Sequence, residues 1–319
     1  MTSASLSCSP RNYAGPMESI TVAYSPFEST ALLWVAKDQR YFQENGLTVS
    51  FRKYDTGAAS LAGVANGEAD VVVGISEFPI VKSAFQSEKI SVIGNADKGE
   101  FIYLVGRNDR GIQKASDLKG KRLGTAKGTI SEYYLGRFLE LNGMTIKDIN
   151  LVDLKTPQEW VNAVVDGEID AVVTAQPDAN MARECLGANA FIWPVQSGQF
   201  LNGLIVSGND WLAKHPGLAA SFLKAMTQAE QYAERNPDKA KAIVKGGLNL
   251  DAGYVDTAWR QNQFTISLDQ SLIVAMEDEA RWMIGNNLTS EKTAPNFLDL
   301  ISADSLKTVR PGSVRISGK

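Results

Sequence analysis

Residues 61–73, LAGVANGEADVVV, return one hundred positions later as VNAVVDGEIDAVV at 161–173, with Val64, Gly67, Glu68, Asp70, Val72 and Val73 matched by Val164, Gly167, Glu168, Asp170, Val172 and Val173. Each copy alone reads as a helix end, a glycine at the left-handed cap and a Val-rich strand, which any α/β protein can carry. The displacement, close to one hundred throughout, is what constrains the chain. Asn45-Gly46 recurs as Asn142-Gly143, Thr56 as Thr156, and the apolar stretch Ile102–Val105 as Gly203–Val206. One structural unit built twice is the expectation.

The 319 residues exceed the size at which one core usually keeps growing, and 44% apolar content supplies two cores. With 32 basic and 36 acidic residues the formal charge is −4, so no basic field exists for nucleic acid and no basic run marks a membrane patch. An anion would have to be held locally. No window approaches the roughly 18 apolar residues of a membrane span.

Residues 1–17 are small and polar without periodicity and read as a flexible tail. Cys8 follows Ser-Leu-Ser, so it is either a former lipid-anchor cysteine whose leader is absent here or a plain tail thiol. Cys185 reads as a small buried apolar residue, and two cysteines so far apart make no disulfide framework.

From residue 18 the pattern is β-α-β-α-β: strand 20–24, one helix over 30–44 capped by Ser29 or Thr30 and ended by Asn45-Gly46, strand 48–54, helix 57–65 and strand 70–73. The second copy runs as strand 122–126, helix 130–142, strand 150–154, a capping box Thr156-Pro157-Gln158-Glu159 and strand 169–173. Such units give parallel strands with right-handed crossovers and gather the post-strand turns on one edge. Phe101–Val105 and Leu204–Val206 are the expected crossings, giving a first lobe of 18–104 plus 206–319 and a second of 105–205, with a ligand cleft between them. After 208 helices dominate, with Trp259, Met276 and Trp282 as core anchors buttressing the first lobe.

His215, the single histidine, sits at the Pro216 break as a surface residue, far from any nucleophile pattern. There is no HExxH, no CxxC and no metal-spaced His/Cys cluster, so no metal site or cofactor is expected. Gly124–Thr129 matches neither a P-loop nor a dinucleotide fingerprint. What remains is a set of helix starts around a cleft, whose free N–H groups bind anions without net positive charge. The turns are 25–28, 56–58 and 76–79 in the first copy and 127–131, 156–157 and 174–178 in the second, and each Ser or Thr in them also has a plain capping role.

The runs AYSPFESTALLWVAKDQRYFQENGL, GEAD and GEID, SDLKGKRLGTAKGTISEYYLGRFLELNGM and WLAKHPGLAASFLKAMTQAEQYAERNPDKA together resemble the periplasmic solute-binding proteins of ABC transporters, in the nitrate, aliphatic sulfonate and taurine group. The resemblance spans residue 18 to about 285 and implies a type II α/β fold of two lobes closing over a small ligand. It further implies a monomer that delivers solute to a membrane permease outside the cytoplasm, and no catalysis. Carried over by position, it implies ligand contacts at Ser25, Phe27, Ser76, Glu77, Gly128, Thr129 and Ile130, and the neighbouring Glu28, Thr56, Gly57, Lys127, Gln176 and Asp178 join the candidate set. Ala175-Gln176-Pro177-Asp178 departs from the aromatic-acidic-Pro-aromatic run of many sulfonate binders, which removes an aromatic wall there. Glu28 and Glu77 would repel a plain anion, whereas a taurine-like zwitterion would satisfy both charges; both also suit helix N-termini without a ligand. Competing readings are nitrate or bicarbonate, a thiamin-precursor pyrimidine stacked on Phe27, Trp34 and Tyr103, and an enzyme or sensor on the same fold.

Overall fold

The computed structural model describes residues 13–318. Cys8 and most of the expected tail lie outside the described residues; of the remainder, Tyr13 lies over Gly46, where an added Cβ would meet its ring at 2.7 Å.

Two five-stranded sheets are built on one plan. The first contains β1 (Glu18–Tyr24), β2 (Leu47–Lys53), β3 (Val71–Ile75) and β4 (Ile90–Gly99). The second contains β5 (Ile102–Arg107), β6 (Arg122–Thr125), β7 (Asn150–Asp153), β8 (Ala171–Ala175) and β9 (Ala190–Pro194), after which β10 (Leu201–Gly208) returns to the first. Spatial orders are β2-β1-β3-β10-β4 and β7-β6-β8-β5-β9. In each, the strand that follows a passage between sheets, β5 in the second and β10 in the first, runs antiparallel to both neighbours. These passages fall between Gly99 and Ile102 and between Pro194 and Leu201. Of the expected crossings Phe101–Val105 and Leu204–Val206, Phe101 falls in the first passage, while Ile102–Val105 and Leu204–Val206 lie inside strands, because a continuous apolar run is what a doubly covered strand needs.

The sequence repeat has a structural reason. Gly67 and Gly167 take φ of +72° and +78°, ending α3 (Gly57–Ala65) and α6 (Pro157–Val165). Asp70 then accepts from the Thr21 amide at 2.7 Å, and Asp170 from the Arg122 amide at 2.8 Å, so one carboxylate per copy ties the strand's start to its neighbour. Asp70→Ala and Asp170→Ala are each expected to lower stability by about 1–3 kcal/mol, the cost of orphaning an inner amide, measured as urea midpoints. Equal, near-zero effects would make the repeat ornamental.

The expected 30–44 helix is broken. A short turn at Glu28–Thr30 leads into α1 (Ala31–Asp38), Arg40 adopts φ +60°, and α2 (Tyr41–Glu44) follows. Thr30 Oγ1 donates back to the Phe27 carbonyl at 2.8 Å instead of capping. α4 (Glu77–Phe85) follows β3, and α5 (Ile130–Leu141) and α7 (Asp178–Leu186) follow β6 and β8. In the second capping box Thr156 accepts from Glu159 N, but Glu159 reaches the Lys155 amide, not that of Thr156. Cys185, on α7, is exposed, contrary to expectation: it lies in the helix's last turn, where Arg183 and Glu184 are exposed with it.

The C-terminal helices are α8 (Asn209–Lys214), α9 (Pro216–Arg235), α10 (Pro237–Leu248), α11 (Ala252–Gln261) and α12 (Gln270–Gly285). They cover the first sheet's helices: Phe222 of α9 stacks on Phe42 with ring centroids 5.5 Å apart. Met276 and Trp282 are buried as expected, and Trp259 is half-buried against Phe264. The last segment, Val314–Arg315, pairs in parallel with Leu268–Asp269. No helix among the described residues is long and apolar enough to cross a membrane.

Candidate functional site

The parallel strands of both sheets aim their C-terminal ends at one cavity of about 270 Å³, where doubly wound sheets hold ligands. Its walls carry the starts of three helices: Thr56, Gly57 and Ala58 before and within α3, Ser76 and Pro79 at α4, and Gly128, Thr129, Ile130 and Ser131 at α5. Of the expected site residues, Phe27, Glu28, Thr56, Gly57, Ser76, Lys127, Gly128, Thr129, Ile130 and Gln176 line it. Ser25, Glu77 and Asp178 do not.

Those three are buried behind the wall for identifiable reasons. Ser25 is 3% exposed and its carbonyl accepts from Phe27 N at 2.8 Å, turning Phe27 toward the cavity and the serine inward. Glu77 is 1% exposed; its Oε1 accepts from the Asn202 amide at 3.1 Å and from the Asn202 side chain, so β10 holds it. Asp178 opens α7 and is turned inward; burial pushes its carboxyl up to about 6.

The hydrogen bonds decide which donors are free. At the α5 start, Lys127 N donates to Asp153 at 3.1 Å and Gly128 N to Glu132 at 2.6 Å, so the glycine amide is already taken. Thr129 Oγ1 donates to the Ala126 carbonyl at 2.7 Å and accepts from Ser131 N at 3.3 Å. The Thr129 and Ile130 amides keep no partner among the described residues. At α3, Thr56 caps Ala59 N at 3.2 Å, leaving the first two helix amides, Gly57 and Ala58, free. Ser76 makes no cap bond, so its hydroxyl is available. Gln176 accepts from Asn180 N at 3.1 Å through Oε1, which leaves its NH₂ to the cavity.

Opposite in chemistry to these donors stands Glu28. It is 3% exposed, and Oε2 accepts a hydrogen bond from the Tyr254 hydroxyl of α11. Burial pushes its carboxyl up to about 7 against the lowering effect of Tyr254, with Asp178 raising it further. No ion pair reaches it among the described residues. Behind it Asp97, fully buried, accepts from Asn262 at 3.0 Å, and burial with the nearby Glu28 raises its carboxyl well above the usual range.

The rest of the wall is mostly apolar. Phe101, Leu154, Trp160 and Leu201 line it and were missed from sequence. Phe101 had a usable signal, since a chain passing between sheets must run past the gap they leave. Trp160, with Nε1 on the Leu154 carbonyl at 3.1 Å, leans toward the start of α6, as helical side chains do. It supplies from α6 an aromatic wall that the Gln176–Asp178 run lacks. Trp34 and Tyr103, expected as stacking surface, are absent from the wall: Trp34 is 8% exposed, packed on Phe51 and Tyr24.

Two sheets joined by two passages, with helix starts from both converging on one cavity, define the architecture of a cleft-type solute-binding protein. The chain belongs to the NMT1/THI5-like family, whose profile matches residues 28–240. It is 30% identical to the taurine-binding periplasmic protein of Escherichia coli K12 over 225 residues, 69% of this chain and 68% of that one. The solved alkanesulfonate-binding protein SsuA of Xanthomonas axonopodis pv. citri, bound to MOPS, shares the fold with TM-score 0.77 at 17% identity, over 91% of this chain and 100% of that one. The desulfurization enzyme DSZB also shares it, with TM-score 0.63 at 17% identity over 92% and 100% of the two chains. Fold alone therefore does not separate binding from catalysis.

Proposed function

We propose that this chain is the extracytoplasmic solute-binding component of an ABC importer, a monomer that captures a small zwitterionic sulfonate of the taurine type and presents it to a membrane permease. The observation that carries the ligand class is Glu28: a buried carboxylate with no ion-pair partner among the described residues, on a cavity whose far side carries the free amides of the α5 start together with Lys127 and Lys155, the latter paired to Asp153. A sulfonate takes the Thr129 and Ile130 amides at the positive end of α5, and an ammonium takes Glu28. Nitrate or bicarbonate would leave Glu28 unpaired. The lobes divide at the two passages, near residues 100 and 195–200, and the ligand favours closure by touching both. Catalysis finds no support in the wall, which carries neither Cys nor His; Cys185 and His215 are exposed elsewhere. Periplasmic relatives support the location.

A thermal-shift screen with taurine, alkanesulfonates, nitrate, bicarbonate and pyrimidines tests the class, and taurine is expected to give the largest rise. A result in which only nitrate or a pyrimidine raised the midpoint would replace this reading. Ile130→Pro then tests the anion wall: proline is tolerated at a first helical position but removes the N–H. Losing one charge-assisted bond should weaken taurine about tenfold or more, while Cys185→Ser changes nothing. Equal titrations for the two variants would move the sulfonate elsewhere.

A further inference from the structure

We propose that the contact between Gly136 of α5 and Trp282 of α12 is the bearing that sets the angle between the two sheets, making Gly136 a positioning residue for the anion-facing start of α5. The inference rests on the reading that the halves move relative to one another, but on no particular ligand.

Three observations converge. First, the axis is pinned elsewhere. Gln196, between the sheets, accepts from the Phe101 and Ile102 amides at 2.6 and 2.8 Å and donates to the Gly99 and Gln199 carbonyls at 3.1 and 2.8 Å. One side chain thus staples both passages, which leaves rotation about them as the soft motion. Second, α12 belongs to the first half and α5 to the second, and they meet where Trp282 lies on Gly136. A Cβ added to Gly136 would sit 2.4 Å from the Trp282 ring. Glycine inside a twelve-residue helix costs roughly 1 kcal/mol against alanine, and this close approach is what requires it. The Trp282 ring also meets Tyr133 of α5 edge-on at 5.5 Å and Phe78 of α4 at 6.3 Å, so it touches two of the three helices that begin at the cavity.

Third, the junction is left electrostatically unfinished. Of the eleven buried side-chain polar atoms without a partner among the described residues, six lie here: Glu77 Oε2, Arg137 Nε, Asn202 Oδ1, both Glu279 oxygens and Trp282 Nε1. Buried polar atoms are nearly always paired, so a cluster of unpaired ones marks a place with a second arrangement. Arg137 reaches Asp278 across the same contact at only 3.5 Å, a pair that a small rotation would tighten or break. Because α5 is rigid, a rotation at Gly136 is carried to Thr129 and Ile130 at its start.

The test needs no solute. In a Cys8→Ser background, spin labels on exposed Cys185 in the second half and on Lys224→Cys in the first report the distance between halves. Gly136→Ala is expected to shift the mean by a few ångström in the ligand-free protein, and adding Trp282→Leu should return it toward the parent. Taurine affinity, read in parallel, should fall several-fold in Gly136→Ala and recover in the double variant. A distribution superimposable on the parent's, or a shift that Trp282→Leu fails to reverse, overturns the proposal. Should Gly136→Ala not fold, Trp282→Leu alone must broaden the distribution, and an unchanged width overturns the proposal equally. Absence of taurine binding in every variant would count against the ligand and leave the distance result to decide the bearing.

Discussion

Taurine affinity is expected to weaken about tenfold for each pH unit below about 7 and to level off above it, while an alkanesulfonate without an amine shows the opposite slope. The cause is Glu28, whose carboxyl burial pushes up to about 7. An ammonium needs that carboxylate ionised, so below the midpoint binding must first expel a proton. A ligand with no positive group prefers the neutral acid and loses affinity as the carboxylate forms. Glu28→Gln should abolish both slopes and weaken taurine about a hundredfold at pH 8, since a buried ion pair is lost, with alkanesulfonate binding retained. Isothermal titration at pH 5, 6, 7 and 8 reads all of this. A taurine affinity flat with pH, or indifferent to Glu28→Gln, would place the amine elsewhere or remove it from the ligand.

The duplicated halves were legible because their signals are local. Gly67 and Gly167 at the left-handed cap, Thr56 and Thr156 as helix caps, and Pro157 and Pro237 at first helical turns all follow from backbone geometry within a few residues. Helix 57–65 matches to the residue. The misreadings occur where a distant contact decides. Nothing near Ile102–Val105 says which sheet its strand will join; β8 and β9 decide that by pairing with it. Arg40 breaks the first helix against a continuous apolar pattern.

The site divides in the same way. A strand-to-helix turn can be found from sequence, but not which of its donors is already spent. The Gly128 amide goes to Glu132 four residues on, which a helical spacing could have suggested. Glu77 goes to Asn202 from another part of the chain, which no local pattern contains. Trp160 and Phe101 come to the cavity through the arrangement of the sheets, so the apolar part of the wall was the least visible.

Glu77 and Glu28 therefore look alike in sequence and differ in consequence, and the stability of the ligand-free protein separates them. Both carboxyls are fully buried and both are pushed up to about 7 from 4.5, Glu77 by burial against the lowering bonds from Asn202. Between pH 4.5 and 7 these two groups hold, in the folded chain, protons that they have released in the unfolded one. Stability from these groups is complete below the unfolded value and is lost as pH rises through the folded one. The loss is on the order of 3 kcal/mol per group, at 1.36 kcal/mol per unit. Urea unfolding at pH 5 and pH 8 should show the ligand-free protein less stable at pH 8, with the difference made smaller in Glu77→Gln and in Glu28→Gln alike, the remainder coming from Asp97, Asp178 and Glu279, which burial shifts in the same direction. Taurine titration then parts them: Glu77→Gln, off the cavity wall, keeps the wild-type pH profile, and Glu28→Gln loses it. Stability that rose between pH 5 and 8, or a Glu77→Gln protein that lost its taurine profile, would mean that these two acids are ionised in the folded chain or that Glu77 reaches the solute after all.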